Sequence, residues 1–367
     1  MHKIRAERPL FFYYFMKKYL KTTGYLLFTA FISSSIIFIL YLRAYRINSL
    51  DNGFNRIFPS HFITDFKVLK LPFDFCYIAG VADSNIYIGK YQYPMTLLKT
   101  NYRLSYIDSF TLKYDSTRKI AWALVKVSVD SPITYLMEGL SPTIIRYNLI
   151  SGNNELLAVP NYNFDICIPL SNKNLICKLF DPKTNSNILE RLVPGLGIDR
   201  RLSLKRDASK ADMFTSDGIL NYNKATGKIV FVYFHSNEFL ELDTNLKVVF
   251  KGRTIDTVAH PLIKVGYIAS EHLTTYANPP LVVNRRSCIS GDYLFVNSTL
   301  RANNQNKPEF SFSYTIDIYS LSNYKYVYSF YLPKYENEEM IDFRVHLSKI
   351  IAIYHHYLVI YTVNFAE

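Results

Sequence analysis

Four aspartates recur at one kind of place in this sequence. Phe73-Asp74-Phe75-Cys76, Phe164-Asp165-Ile166-Cys167, Ser216-Asp217-Gly218 and Ile341-Asp342-Phe343 each set a carboxylate a few residues ahead of a polar turn and an apolar run. Bases stand at related places: Arg118-Lys119, Arg285-Arg286 and Arg344. Carboxylates brought within a few ångströms of one another repel unless a base or a cation lies between them. A shared site would therefore hold either a bound cation or direct Asp–Arg pairs. Because Arg286 and Arg344 are already present, pairing is the expectation. The structural alternative is that each Asp starts a strand by bonding nearby backbone, with the bases as packing partners.

Other groups are less specific. Cys167 and Cys177 flank the turn in CIPLSNKNLIC and fall opposite each other if the hairpin is centred on Asn172. The expectation is two free thiols packed as small hydrophobes; a disulfide, plausible on an oxidising side of a membrane, is the alternative. Cys76 and Cys288 read as core residues. His346, His355 and His356 crowd the C-terminal end, but adjacent strand residues point to opposite faces, so His355 and His356 cannot share one ion. They read as turn or surface residues. No GxSxG elbow, HExxH, P-loop or Rossmann glycine pattern occurs, and no cysteine has metal-ligand spacing. No cofactor or metal is expected.

These residues need elements to position them, and the elements repeat. Ala225–Phe250 reads as three strands, Lys228–His235, Phe239–Asp243 and Lys247–Phe250, joined by turns of small and polar residues. Its first turn and strand, ATGKIVFVYF at 225–234, has relatives at 82–91, 129–138, 171–180, 290–299 and 347–356. Successive units start 42 to 65 residues apart, near or above the length of a four-stranded propeller blade. The longer gaps are read as insertions at 193–212 and around Tyr276-Ala277-Asn278-Pro279-Pro280. After the sixth unit only Tyr357–Val363 remains, while Phe62–Leu71 is an orphan strand before the first. Pairing the two would close the ring and remove two exposed edges. The fold expected is all-β, a six-bladed propeller over 61–367. A β-sandwich fits the strand pattern less well, because six similar units recur at blade-like intervals.

Ahead of the propeller, Gly24–Leu42 runs 19 residues without a charge. As a helix it would span roughly 28 Å, about the hydrocarbon thickness of a bilayer. Residues 1–46 carry eight Lys or Arg against one acid, Glu7, and most of the bases precede the apolar run. The positive-inside rule then puts the N-terminus in the cytoplasm. The organisation expected is a cytoplasmic basic segment (1–23), a transmembrane helix (24–42), a stalk (43–60) and a periplasmic or extracellular propeller. The bilayer is the first partner. The net charge of +12 lies mostly in this flank, and what is left is too thin for a nucleic-acid footprint.

On this strand pattern the chain resembles the TolB-like six-bladed propellers, as a single-pass, membrane-anchored periplasmic protein. There is no WD dipeptide, kelch glycine pair, YWTD or Asp-box signature. The resemblance carries no particular activity; because so large a scaffold shows no nucleophile–base motif, the function expected is a non-catalytic module for a protein, peptide or carbohydrate partner. A channel-mouth hydrolase or lyase, possibly using a divalent cation, is the second reading. In a propeller the entries of the inner strands share one rim with the loops between second and third strands. The expected binding rim therefore gathers Asp74, Asp165, Asp217, Asn237, Glu238, Arg253, Asp256, Arg286, Asp342 and Arg344.

Overall fold

The computed structural model describes residues 8–48, 52–82, 84–114, 120–157, 163–170, 173–206 and 212–365. Arg118 and Lys119 lie outside the described residues, as does Asn172. The chain divides into two compact units, Met1–Asp51 and Asn52–Glu367.

The first unit is one α-helix, Arg8–Asn48, longer at both ends than the apolar run predicts. Within it Tyr19–Leu42 has a mean hydropathy of 2.1 and is long and apolar enough to cross a membrane. Two hydroxyls inside that stretch bond within the helix: Ser33 donates to the Thr29 carbonyl at 2.9 Å and Thr29 to the Leu26 carbonyl at 3.0 Å. A hydroxyl satisfied in this way costs little in an apolar surrounding.

The second unit is a six-bladed β-propeller. Six four-stranded antiparallel sheets follow one another, with a two-stranded hairpin, Val265–Ile268 and Leu273–Tyr276, between blades 4 and 5. The inner strands are Cys76–Val81, Lys126–Asp130, Ile166–Pro169, Gly218–Asn223, Asn284–Ser290 and Met340–His346. The second strands are Asn85–Lys90, Ile133–Glu138, Leu175–Asp181, Lys228–Tyr233, Tyr293–Ser298 and Lys349–Tyr354. Each of the six sequence units holds one of these second strands.

The second strands read as largely apolar runs because a blade is buried on both faces. In blade 4, Ile229, Phe231 and Tyr233 face blade 3, while Val230 and Val232 face blade 5. In blade 1, Ile86 and Ile88 face blade 6 and Tyr87 faces blade 2. A buried core of this kind lies at every junction, including 6 to 1, so the ring is closed. Closure uses the orphan strand: Ile63–Lys70 pairs antiparallel with Tyr357–Val363, Ile63 opposite Val363 and Lys70 opposite Tyr357. The N-terminal strand is thus the outer strand of the last blade, and two edges disappear.

Of the segment read as a stalk, residues 43–48 continue the helix and 49–51 fall outside the described residues. Residues 52–58 pack along blade 5. Phe54 is buried, Phe58 stacks on Tyr331, and the buried Arg56 guanidinium forks onto Asp317 at 2.7 and 2.9 Å. Burial opposes the Arg56 charge, but Asp317 outweighs it and holds the pKa above the ordinary arginine value.

The expectation of free thiols fails for one pair. Cys167 and Cys177 stand directly opposite across the first two strands of blade 3 and form a disulfide. Register decided this: the hairpin puts the two side chains on the same face of neighbouring strands. Cys76 and Cys288 are free and buried, and burial pushes their thiols up to about 11 and about 12.

Candidate functional site

Because strands alternate in direction, every inner strand starts, and every second strand ends, at one face of the ring. That face is called the entry mouth here, and the opposite one the exit. The inner strands enclose a cavity of about 550 Å³ on the propeller axis. Tyr77, Lys126, Asp165, Asn221, Cys288 and Asp342 each come to it from a different blade. Asn221 donates from the wall to Ser287 at 2.8 Å, tying blades 4 and 5 together beside the cavity. Tyr77 accepts the Val127 amide at 2.7 Å and packs on Tyr91 with ring centroids 4.7 Å apart, joining blades 1 and 2 in the same way.

Three of the four recurring aspartates are held at the entry mouth by bases. On blade 6, Asp342 accepts the Phe343 amide at 2.8 Å and Arg344 Nη1 at 2.7 Å, so both sequence expectations, strand start and Asp–Arg pair, are met in one residue. Burial raises its carboxyl above the usual range despite Arg344. On blades 3 and 4 the base lies outside the Asp and Arg motifs of the sequence. Lys178, 4% exposed on the second strand of blade 3, reaches Asp165 at 2.6 Å and also pairs with Asp217. Burial works against its ammonium, but Asp217 and Asp165 outweigh it and raise its pKa. The signal was there to read: Lys178 is a charge inside the apolar run LICKLF, a position that demands a partner.

Asp165 is placed by a close backbone contact. The Phe164 amide donates to the Gly139 carbonyl at 3.1 Å, and a Cβ on Gly139 would meet the Phe164 carbonyl oxygen at 1.9 Å. Only glycine lets blade 3 start so close to blade 2.

The fourth aspartate differs. Asp74 lies away from the cavity lining, 3.2 Å from His356 Nε2, while His356 Nδ1 meets Glu338. This group sits where the closing blade hands over to blade 1, and His356 is a half-exposed turn residue as expected. Arg286 lies outside the cavity lining: its Nε donates to the Ile341 carbonyl at 2.7 Å, and Nη1 is buried without a hydrogen-bond partner among the described residues. Burial, then the neighbouring Arg285, lower its pKa, while Tyr314, Asp342 and Glu339 act the other way.

The remaining expected rim residues share the face of the ring but sit further out, on blade 4. Asn237 is buried and donates to the Asp256 carbonyl at 2.7 Å; Asp256 is buried and accepts from Thr254 and Val258. Glu238 pairs with Arg206 at 2.9 Å, and Arg253 is exposed at the end of the outer strand. These four do not line the cavity. At the exit the channel is crossed by Lys224 and Asp130, from blades 4 and 2, at 2.7 Å.

No family model matches the chain, and no curated protein matches it. Solved structures with a similar fold include a streptogramin B lyase, at 10% identity and a TM-score of 0.48 over 83% of this chain and 100% of that one. A catalytically inactive virginiamycin B lyase from Staphylococcus aureus with quinupristin gives 12% identity and 0.46, over 82% and 100%. YCF48 bound to D1 peptide gives 10% and 0.44, over 83% and 99%. The likeness concerns the fold alone.

Proposed function

We propose that this chain is a single-pass, membrane-anchored propeller of the TolB-like kind that binds a protein, peptide or other polar partner at its entry mouth without transforming it. The observation that carries the reading is the state of the mouth's polar groups. Asp165, Asp217 and Asp342 are each fixed by a base before any ligand arrives, at the starts of inner strands that enclose a preformed cavity lined by Asp165 and Asp342. Fixed charges around a part-apolar cavity suit recognition and orientation. The thiols fit no catalytic role: two are bridged, and the other two are buried with raised pKa values, the opposite of an activated nucleophile. An extracytoplasmic address is supported by the basic flank, the apolar helix and the disulfide.

One observation favours the second reading, a channel-mouth hydrolase or lyase: the raised carboxyl of Asp342 could exchange a proton. Arg344 at 2.7 Å instead holds it as an ion pair.

The test places a photo-crosslinking residue at Leu124, exposed on the cavity lining, and in a second variant at Val249, exposed on the outer strand of blade 4. In intact cells the partner is expected to be captured from position 124 and not from 249. Capture from 249 alone, or equally from both, overturns the mouth as the binding site.

A further inference from the structure

We infer that the ligand of the entry mouth presents an anionic group, a carboxylate or a phosphate ester, to the blade 5–6 side of the cavity; this rests on reading the mouth as a binding site. The ion pairs of the mouth do not balance evenly around the ring. On blades 3 and 4 two carboxylates, Asp165 and Asp217, share the single cation Lys178, which leaves an excess of negative charge. On blades 5 and 6 Arg286 and Arg344 stand by Asp342, and with Glu339 and Arg285 counted as well three guanidiniums meet two carboxylates, which leaves an excess of positive charge. Lys126, exposed on the mouth at the start of blade 2, has no acid partner among the described residues, but it stands beside blade 3 and not on the blade 5–6 side.

The blade 5–6 excess is also the costly one. Arg286 is largely withdrawn from water, and its Nη1 is orphaned. An arginine cannot escape such a position by losing its proton, so the charge persists and calls for a counter-charge. Asp342 is not free to supply it, because its carboxylate is held by Arg344 and the Phe343 amide. Tyr91 lies within the field of the same three groups, its phenol pKa raised by burial and Asp342 and lowered by the two arginines. Arg286 does not itself line the cavity, so an anion there acts on it through the field and makes its contacts with Arg344, which does. Arg344 is 40% exposed, and both of its hydrogen bonds run through Nη1, to Asp342 and to the Phe343 carbonyl, so Nε and Nη2 remain as donors. Guanidinium edges match carboxylate and phosphate geometry with two parallel bonds. The negative excess at Asp165 and Asp217 repels the same anion and so fixes its orientation across the mouth.

The experiment uses the full-length protein in detergent and calorimetric titration with three probes: inorganic phosphate, a tetrapeptide with a free C-terminus, and the same tetrapeptide amidated. Wild type is expected to bind phosphate or the free peptide and to lose the peptide on amidation; which of the two binds identifies the source of the anion. Arg344→Gln is expected to weaken binding by about tenfold or more. Asp342→Asn removes the competing negative charge while leaving an oxygen to accept from Arg344 Nη1, so it is expected to tighten binding several-fold, a gain that a misfolded variant cannot give. Equal binding of the free and amidated peptides, phosphate binding unchanged in Arg344→Gln, or weaker binding in Asp342→Asn each overturns the inference. If no probe binds while position 124 still captures a partner, the anion is refuted and the mouth stands. If capture fails as well, the site itself is refuted.

Discussion

Lys178 gives the sharpest test of the electrostatics of the mouth. Its side chain is 4% exposed, whereas those of Asp165 and Asp217 are 64% and 36% exposed. That asymmetry sets an order of costs. Lys178→Met removes the buried charge together with the cost of burying it, and leaves two carboxylates that keep part of their hydration. The expected loss is their mutual repulsion and the lost hydrogen bonds, about 1–2 kcal/mol. Replacing both acids, Asp165→Asn with Asp217→Asn, leaves an ammonium buried without a counter-charge, and the expected loss is about 3–5 kcal/mol. The pH dependence separates the two further. In the native protein the folded pKa of Lys178 is raised, so its contribution is fully present below the ordinary lysine value of about 10.4 and is lost as pH rises through the folded pKa. In the double variant burial acts alone and depresses the folded pKa, so stability rises with pH up to the same value. Urea titrations of the full-length protein in detergent, followed by circular dichroism at pH 7, 9 and 10, read both effects. The reasoning is refuted if Lys178→Met costs as much as the double variant, or if the double variant's penalty does not shrink between pH 7 and 10.

Arg56→Ala strands Asp317, which is 2% exposed, and is expected to cost about 3–5 kcal/mol in the same titrations; a loss under 1 kcal/mol would mean that residues 52–58 do not anchor blade 5. Alkylation of the unfolded, unreduced protein is expected to label two thiols, Cys76 and Cys288, and four after reduction. Replacing Cys167 and Cys177 with Ser is expected to cost about 2–3 kcal/mol for so short a loop, while four reactive thiols without reductant would rule out the bridge. Protease added to spheroplasts is expected to digest the region after Arg46, and protection of that region would reverse the proposed topology.

Much of the ring was legible in the sequence, because its signals are local. A second strand buried on both faces is mostly apolar, whatever its neighbours are, and turn residues mark its start. Ile86–Ile88, Ile229–Tyr233 and Ile350–Tyr354 could be read from their own stretches for that reason. The closing strand could be read from the count of strands, since Tyr357–Val363 lacked an outer partner and Phe62–Leu71 lacked a blade.

The site was legible only as residue types. Phe73-Asp74-Phe75-Cys76 and Phe164-Asp165-Ile166-Cys167 are close to the same motif, yet tertiary structure gives them different ends. In blade 1, Cys76 lies opposite Lys90, and Asp74 turns to His356 of the closing blade. In blade 3, Cys167 lies opposite Cys177 and is bridged, while Lys178, opposite Ile166, draws in Asp165 and, from the next blade, Asp217. Strand propensity and burial are properties of a stretch. The partner of a charge depends on which blade packs beside it and how far its inner strand reaches, and those are set only when the ring closes.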